Sequence, residues 1–303
     1  NIFILTNKLY KKKVVKQIKG IVDSRIVLEP SIRNTAPCIL YASLKIKKIN
    51  PSAKIVVTPS DHLIDDKTAF KSNILQALNY ISLSNRLVTF GIIPTRPETG
   101  YGYIQFEKSE GKIYRVKKFI EKPKLSDAKK YLKSQNYMWN SGIFVWKVDD
   151  IIDAFKKYQS KMFKILSNGM IFFNTVDEKK FIDKNYHKLD NISIDYAIME
   201  KTNNCSTIKA DFKWNDLGRW GAIYDLSRKD SKENVIIGSK GIFNNLKGNF
   251  IFNESDRLFV AEGLENKVII ITNDVLLIYP KGDDEKLKTI VEEVKNRFGK
   301  KFN

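Results

Sequence analysis

Short apolar runs rich in β-branched residues recur at even intervals through the first ninety residues: Ile2 to Thr6, Arg25 to Leu28, Lys54 to Thr58 and Leu87 to Ile92. Between them lie segments whose apolar positions fall at helical spacing, over Leu9 to Ile18, Ala36 to Ile49 and Ala69 to Ile81. Strands separated by helices join in parallel through crossovers, so the pattern predicts an α/β fold with a mostly parallel sheet and helices on both faces. In such sheets ligands collect at the carboxyl ends of the strands. Glu29-Pro30 ends the second run, and Pro59-Ser60-Asp61-His62 ends the third, which marks two candidate site loops.

From Asn234 onward the pattern changes to brief β-rich stretches separated by Gly and Asn: Val235–Ile237, Gly241–Phe243, Phe250–Phe252, Leu258–Ala261, Val268–Ile271 and Val275–Ile278. Regular short strands with turn residues between them predict a small all-β unit, closed by an amphipathic helix over Asp283 to Phe298. The expected division is a catalytic-type domain at 1–225 and a small β-rich domain at 226–303. The chain opens inside a strand, with no lead-in and no first strand-to-helix turn, which predicts an N-terminally truncated form of a longer protein.

A net charge of +19 invites a nucleic-acid reading, but only nine of the 53 basic residues are Arg and the lysines spread along the whole chain. A solvated surface that attracts anionic substrates fits that distribution better than a nucleic-acid footprint. No stretch approaches the length of a membrane span, and the first residues lack the features of a signal peptide, so no membrane partner and a cytoplasmic location are expected. Cys38 and Cys205 have no spacing that suggests a disulfide or zinc site, and both read as buried apolar residues. His62 follows Asp61 and reads as orienting its loop, whereas His187 reads as a surface residue. No Ser/His/Asp arrangement, HExxH or GxSxG is present.

Five further segments carry candidate chemistry. Thr95 to Ile104 holds Gly100 and Gly102 around Tyr101, where backbone could approach a ligand closely or simply turn. Phe119-Ile120-Glu121-Lys122-Pro123 sets a carboxylate beside an ammonium at a strand end. If both remain in the strand their side chains diverge, suiting separate ligand groups, and a solvated strand end would look the same. Trp139 to Trp146 places Asn140 and Gly142 at a strand whose aromatics suit a core. Ser193 to Glu200 reads as a helix start capped by Ser193, with no structural need for Asp195 or Glu200 to be acidic. Asp216, between Trp214 and Trp220, could cap a helix, or join Asp61 in a two-carboxylate Mg²⁺ site shared with substrate phosphates.

In this order the motifs resemble the mannose-1-phosphate guanylyltransferase family of sugar nucleotidyltransferases. The similarity rests on Glu29-Pro30 with Arg33-Asn34-Thr35-Ala36-Pro37, Pro59 to His62, Gly100 to Ile104, Phe119 to Pro123, Trp139 to Phe144, Ser193 to Glu200 and Trp214 to Trp220, and spans nearly the whole chain. The resemblance implies a Rossmann-like fold and formation of GDP-mannose and pyrophosphate from GTP and mannose-1-phosphate, with Mg²⁺ as cofactor and a possible homodimer. It places Glu29, Asn34, Thr35, Ala36 and Asp61 at the nucleotide, Asp61 and Asp216 at Mg²⁺, and Gly102, Glu121, Asn140 and Asp195 around the sugar. Lys122 would grip the sugar phosphate, so that Asp61, Lys122 and Asp216 form the catalytic set. The family's opening loop, of the form GGxGTRLWPxSR, is not found before Asn1. A nucleotidyltransferase for another hexose-1-phosphate and a noncatalytic sugar-nucleotide-binding relative are the alternatives.

Overall fold

The computed structural model describes residues 1–107, 111–238 and 240–299. The strands are β1 Ile4–Asn7, β2 Ile26–Glu29, β3 Lys54–Val57, β4 Leu63–Ile64, β5 Leu87–Ile92, β6 Tyr103–Phe106, β7 Ile113–Ile120, β8 Tyr137–Lys147, β9 Cys205–Lys209 and β10 Trp214–Asn215. They are followed by β11 Val235–Ile237, β12 Gly241–Asn244, β13 Phe250–Asn253, β14 Phe259–Glu262, β15 Lys267–Ile271 and β16 Leu276–Pro280. The helices are α1 Lys11–Gln17, α2 Thr35–Ile49, α3 Lys67–Ser82, α4 Leu125–Ser134, α5 Val148–Tyr158, α6 Ser160–Ser167, α7 Glu178–Asn185, α8 Trp220–Leu226 and α9 Asp284–Phe298. Two compact units result, one of residues 1–60 and 64–214, the other of 61–63 and 215–303.

The first unit is built on a six-stranded sheet in the order β3-β8-β5-β9-β7-β6, with β1 and β2 forming a separate parallel pair. Its pairings make β3, β5, β6 and β9 run one way and β7 and β8 the other. Mostly parallel thus describes the strand directions, while only β5 and β9 are parallel neighbours. Successive residues of β8 face opposite sides, as strand geometry requires. Phe144 and Trp146 enter the core shared with α2, α5 and α6, whereas Ile143 and Val145 meet Ala77 and Ile81 of α3. Both faces are therefore covered at β5 and β8, which read as nearly unbroken apolar runs, whereas β7 carries Arg115, Lys117 and Lys118 and β9 carries Ser206 and Thr207.

Strand β8 is bent, and the bend organises the sheet. Its register against β5 shifts between Val88–Thr89 and Gly91–Ile92, leaving Ser141 to Ile143 as an irregularity, with Gly142 at φ +71°. Glycine reaches that region without a Cβ penalty. The bend lets one edge of β8 serve two partners, β3 through its C-terminal half and β6 through Tyr137 to Trp139. As a result the pairings β8–β5–β9–β7–β6–β8 close into a ring.

In the second unit β11, β13 and β15 stack in parallel, as do β12 and β14, and β16 adds antiparallel to β15. Val235 pairs with Phe250 and Phe250 with Val268, so each coil of chain returns beside the previous one. Helix α8 goes with this unit: Tyr224 shares a buried cluster with Val235, Phe250 and Val268, and so the division falls before α8 rather than after it. At the coil corner the buried Asn249 side chain donates to Asn234 Oδ1 (3.1 Å) and the Leu264 carbonyl (2.7 Å) and accepts from the Lys267 amide (2.9 Å). Asn249→Ala would leave buried backbone groups without partners, and should destabilise the second unit by about 2–4 kcal/mol, measured by urea unfolding followed with a probe in that unit.

Candidate active site

The ring closure determines which side chains meet. Tyr103 pairs with Ile120 on one side and with Trp139 on the other, so Gly102, Glu121 and Asn140, each one residue further along, fall in one row across β6, β7 and β8. The Asn140 amide donates to the Gly102 carbonyl at 2.8 Å, which extends the pairing into that row. A Cβ on Gly102 would stand 2.5 Å from Glu121 Oε2 and 3.4 Å from Asn140 Cβ. A side chain at 102 would therefore have to displace the Glu121 carboxylate from this packing.

Asn140 is oriented from behind by a residue that local sequence patterns do not single out. Thr89 in β5 donates its hydroxyl toward Asn140 Oδ1 (3.0 Å) and the Ile143 carbonyl (3.1 Å), and the Gly142 amide also donates to Asn140 Oδ1 (3.2 Å). With the oxygen so engaged, Nδ2 points to Asp195 Oδ1 at 3.0 Å. Asp195 opens a five-residue π-helical turn, Asp195–Met199, after Ser193, whose hydroxyl accepts from the Tyr196 amide at 3.4 Å. The capping role expected for Ser193 is thus present, and single π turns are frequent at functional sites.

Glu121 and Lys122 lie just past the end of β7, where strand alternation no longer separates neighbours. Instead of diverging they form an ion pair at 3.3 Å, with Lys122 held at φ +46°. The Glu121 side chain is 9% exposed and that of Lys122 60%, so the ammonium reaches solvent from a buried carboxylate. The turn is anchored by Glu200, whose Oε1 accepts the Glu121 amide at 2.9 Å. This gives Glu200 the role that the sequence left open.

Burial first, and then repulsion from Asp195, pushes the Glu121 carboxyl up to about 7, while Lys122 partly offsets the shift. Burial also raises Asp195, and its own backbone amide, Lys122 and Asn140 pull it back. Two buried carboxylates, an amide, a bare glycine backbone and an exposed ammonium are therefore adjacent. They supply acceptors and donors for a polyol and a point charge for an anion.

The second candidate group lies at the ends of β2 and α2, in the same unit. Asn34, at φ 62°, caps α2 by accepting the Thr35 amide at 2.9 Å. Thr35 Oγ1 accepts the Ile194 amide at 2.9 Å, and the Ala36 amide donates to the Ile192 carbonyl at 3.1 Å. These bonds tie the start of α2 to the segment that leads directly into Asp195. Glu29 accepts a hydrogen bond from the buried Tyr186 hydroxyl, and burial raises its carboxyl while that bond lowers it. Cys38 and Cys205 are free thiols, and burial pushes both up to about 12.

Asp61 and Asp216 belong to the second unit and flank the β4–β10 ribbon, two residues before β4 and directly after β10. Asp216 does not cap α8, whose first flanking residue is Arg219; its Oδ1 instead accepts the Gly218 amide at 3.2 Å. Asp61 is 83% exposed at its side chain, with His62 Nε2 at 3.9 Å from Oδ1. Among the described residues no group of three or more His, Cys, Asp and Glu side chains forms a metal cage. Each of the two is a hard carboxylate oxygen donor, the ligand type that Mg²⁺ takes alongside waters and phosphates. His187 is exposed, as expected, and the described residues include no helix long and apolar enough to cross a membrane.

The raised Glu121 fixes the sign of a pH effect. Between its ordinary carboxylate value of about 4.5 and its folded value of about 7, the native state binds more protons than the unfolded chain. Stability therefore falls as pH rises through that window. Glu121→Gln should remove this loss, so the variant gains thermal stability over the wild-type protein on going from pH 5 to pH 8, measured by calorimetry at both pH values.

The model of the nucleotidyl transferase family matches residues 1–233. An Escherichia coli mannose-1-phosphate guanylyltransferase is 35% identical over 96% of this chain, which spans 64% of that relative's length. A Thermus thermophilus structure described as a mannose-1-phosphate geranyltransferase superposes with a TM-score of 0.81 at 25% identity, covering 97% of this chain and 84% of its own. A Helicobacter pylori structure described as mannose-6-phosphate isomerase gives a TM-score of 0.60 at 29% identity, over 70% of this chain and 83% of its own. The family model covers most of the length and the Escherichia coli relative aligns over nearly all of it, and the chain belongs to the nucleotidyl transferase family.

Proposed function

We propose that this protein is a mannose-1-phosphate guanylyltransferase, which joins GTP and mannose-1-phosphate into GDP-mannose with release of pyrophosphate. The observation that carries the reading is the row Glu121–Gly102–Asn140, with Asp195 hydrogen-bonded to it and Lys122 beside it. Hydroxyls of a hexose can bridge the carboxylates and the Asn140 amide, while the Lys122 ammonium is the natural partner of the phosphate on C1. Names of relatives such as the E. coli protein support mannose and guanine over other sugars and bases.

In this reading Glu29, Asn34, Thr35 and Ala36 hold the guanine, and the Asp61 and Asp216 carboxylates hold Mg²⁺. The cation, when bound, supplies charge neutralisation for the triphosphate and the departing pyrophosphate. A sugar-phosphate oxygen attacks the α-phosphorus of GTP; the new P–O bond forms as the bond to the β-phosphate oxygen breaks. The attacking oxygen is already anionic, so no general base is needed, and positioning by Lys122 and the sugar row provides the rate gain. The reaction belongs in the cytoplasm, and a homodimer remains part of the proposal.

The test is pyrophosphate release by the full-length protein with a panel of nucleotides and sugar phosphates. Guanine and mannose should win; equal rates with another base or hexose would make the protein a neighbouring nucleotidyltransferase, and binding without turnover a noncatalytic relative. Asp216→Ala and Asp61→Ala should each lower kcat/KM by about a hundredfold or more, since charge neutralisation supplies several kcal/mol. Near-normal turnover in either variant removes that residue from the metal site. Lys122→Ala should lower kcat as well as raise the KM for mannose-1-phosphate, since the ammonium both binds and positions the phosphate.

A further inference from the structure

The three-residue 3₁₀ turn Tyr186–Lys188 grips the candidate base loop at two points. The Tyr186 hydroxyl donates to Glu29 at the end of β2, and the His187 carbonyl accepts Arg33 Nη2 at 2.6 Å. Tyr186 is wholly buried, and its ring meets that of Tyr41 edge-on at 6.4 Å. Tyr41 in turn bonds Glu178, which pairs with the buried Lys45. The phenol is thus fixed by a packed network, and its single polar atom is spent on one carboxylate.

We infer that Tyr186 is the positioning residue for guanine recognition, orienting Glu29 so that its carboxylate meets the two adjacent donors on the edge of the base. The inference rests on the proposed guanylyl-transfer reading and specifies how that site selects its nucleotide. Guanine presents N1–H and the exocyclic amine side by side, a pair that a carboxylate can accept together only if its plane is set and its charge retained. Hypoxanthine keeps N1–H but lacks the amine, so inosine triphosphate (ITP) isolates half of the contact. A site built to accept a hydrogen bond discriminates strongly against a ligand that lacks the donor.

The groups facing Glu29 are few. On α2 these are the Cys38 thiol, raised to about 12, and behind Tyr186 the Tyr41 hydroxyl, raised beyond its ordinary range. Both are neutral near pH 7, and the Arg33 guanidinium is engaged at the His187 carbonyl. Burial raises Glu29 and the Tyr186 bond opposes the rise, so loss of the hydroxyl should move the Glu29 titration to higher pH.

The experiment measures kcat and KM for GTP and ITP against pH in the wild-type protein, Tyr186→Phe, Glu29→Gln and the double variant. Tyr186→Phe should raise the KM for GTP about tenfold, the scale of one hydrogen bond to a charged group, and shift the acid limb up by about one pH unit. Its preference for GTP over ITP should shrink, with the KM for mannose-1-phosphate unchanged within about twofold, and it should add little in the Glu29→Gln background. An unaltered GTP-to-ITP ratio and acid limb in Tyr186→Phe, or losses that add independently of Glu29→Gln, overturns the inference while leaving guanylyl transfer intact. A wild-type protein without preference for guanine overturns the base-pocket reading and the inference with it. Should Tyr186→Phe fail to fold, a fluorotyrosine at position 186 retains the packing and strengthens the donor. The acid limb should then move down, and an unmoved limb counts against the inference.

Discussion

The bend in β8 is the constraint on which the first unit depends. Without the irregularity at Ser141 to Ile143 and the positive φ of Gly142, one edge of β8 could not pair with β3 and β6 at once. The ring of strands would then be open, and Gly102, Glu121 and Asn140 would not share a row. The same distortion frees the Asn140 side chain from the core alternation and lets Thr89 fix its amide. Fold irregularity and site geometry are here one event, as β-bulges beside functional residues often are.

Electrostatics adds a second layer. Burying Glu121 beside Asp195 is unfavourable, and the structure compensates locally with Lys122, the Asn140 amide and the π-turn backbone rather than by exposing either carboxylate. Such a cluster stores repulsion that a polyol ligand can relieve by donating hydroxyl hydrogens. The left-handed Lys122 is part of the same arrangement: Glu200 holds the amide before it, and the ammonium then lies over the carboxylate it neutralises. A negative charge that fixes the backbone therefore also positions a positive one.

Local periodicity made the elements legible. The runs near Ile26, Lys54 and Leu87 are strands, the segments from Ala36 and Ala69 are helices, and the turn-rich stretches after Asn234 became β11 to β16. What periodicity could not convey is adjacency between distant segments. Thus the insertion of antiparallel β8 between β3 and β5, and the joining of β6 to β8, are absent from any window of residues. Gly102, Glu121 and Asn140 stood out because glycine and polar groups lie within or at the ends of strands. Thr89, inside a buried strand, carried no such signal, and Tyr186, in a charged region, was equally silent. The divergence expected of Glu121 and Lys122 failed for a local reason, because the strand stops one residue too soon for its alternation to apply.

The coils of the second unit carry a different implication. Asn249 reads the coil before it through Asn234 and the coil after it through Leu264 and Lys267, so the turns that meet at this corner are indexed to one another by a buried amide. A segment so indexed has a discrete length. Adding or deleting a residue between corner and corner would shift the next amide out of register, whereas a whole extra coil would repeat the same contacts at its own corner. Change in length is therefore quantised in this part of the chain, and lineages that lengthen or shorten it should differ by complete turns.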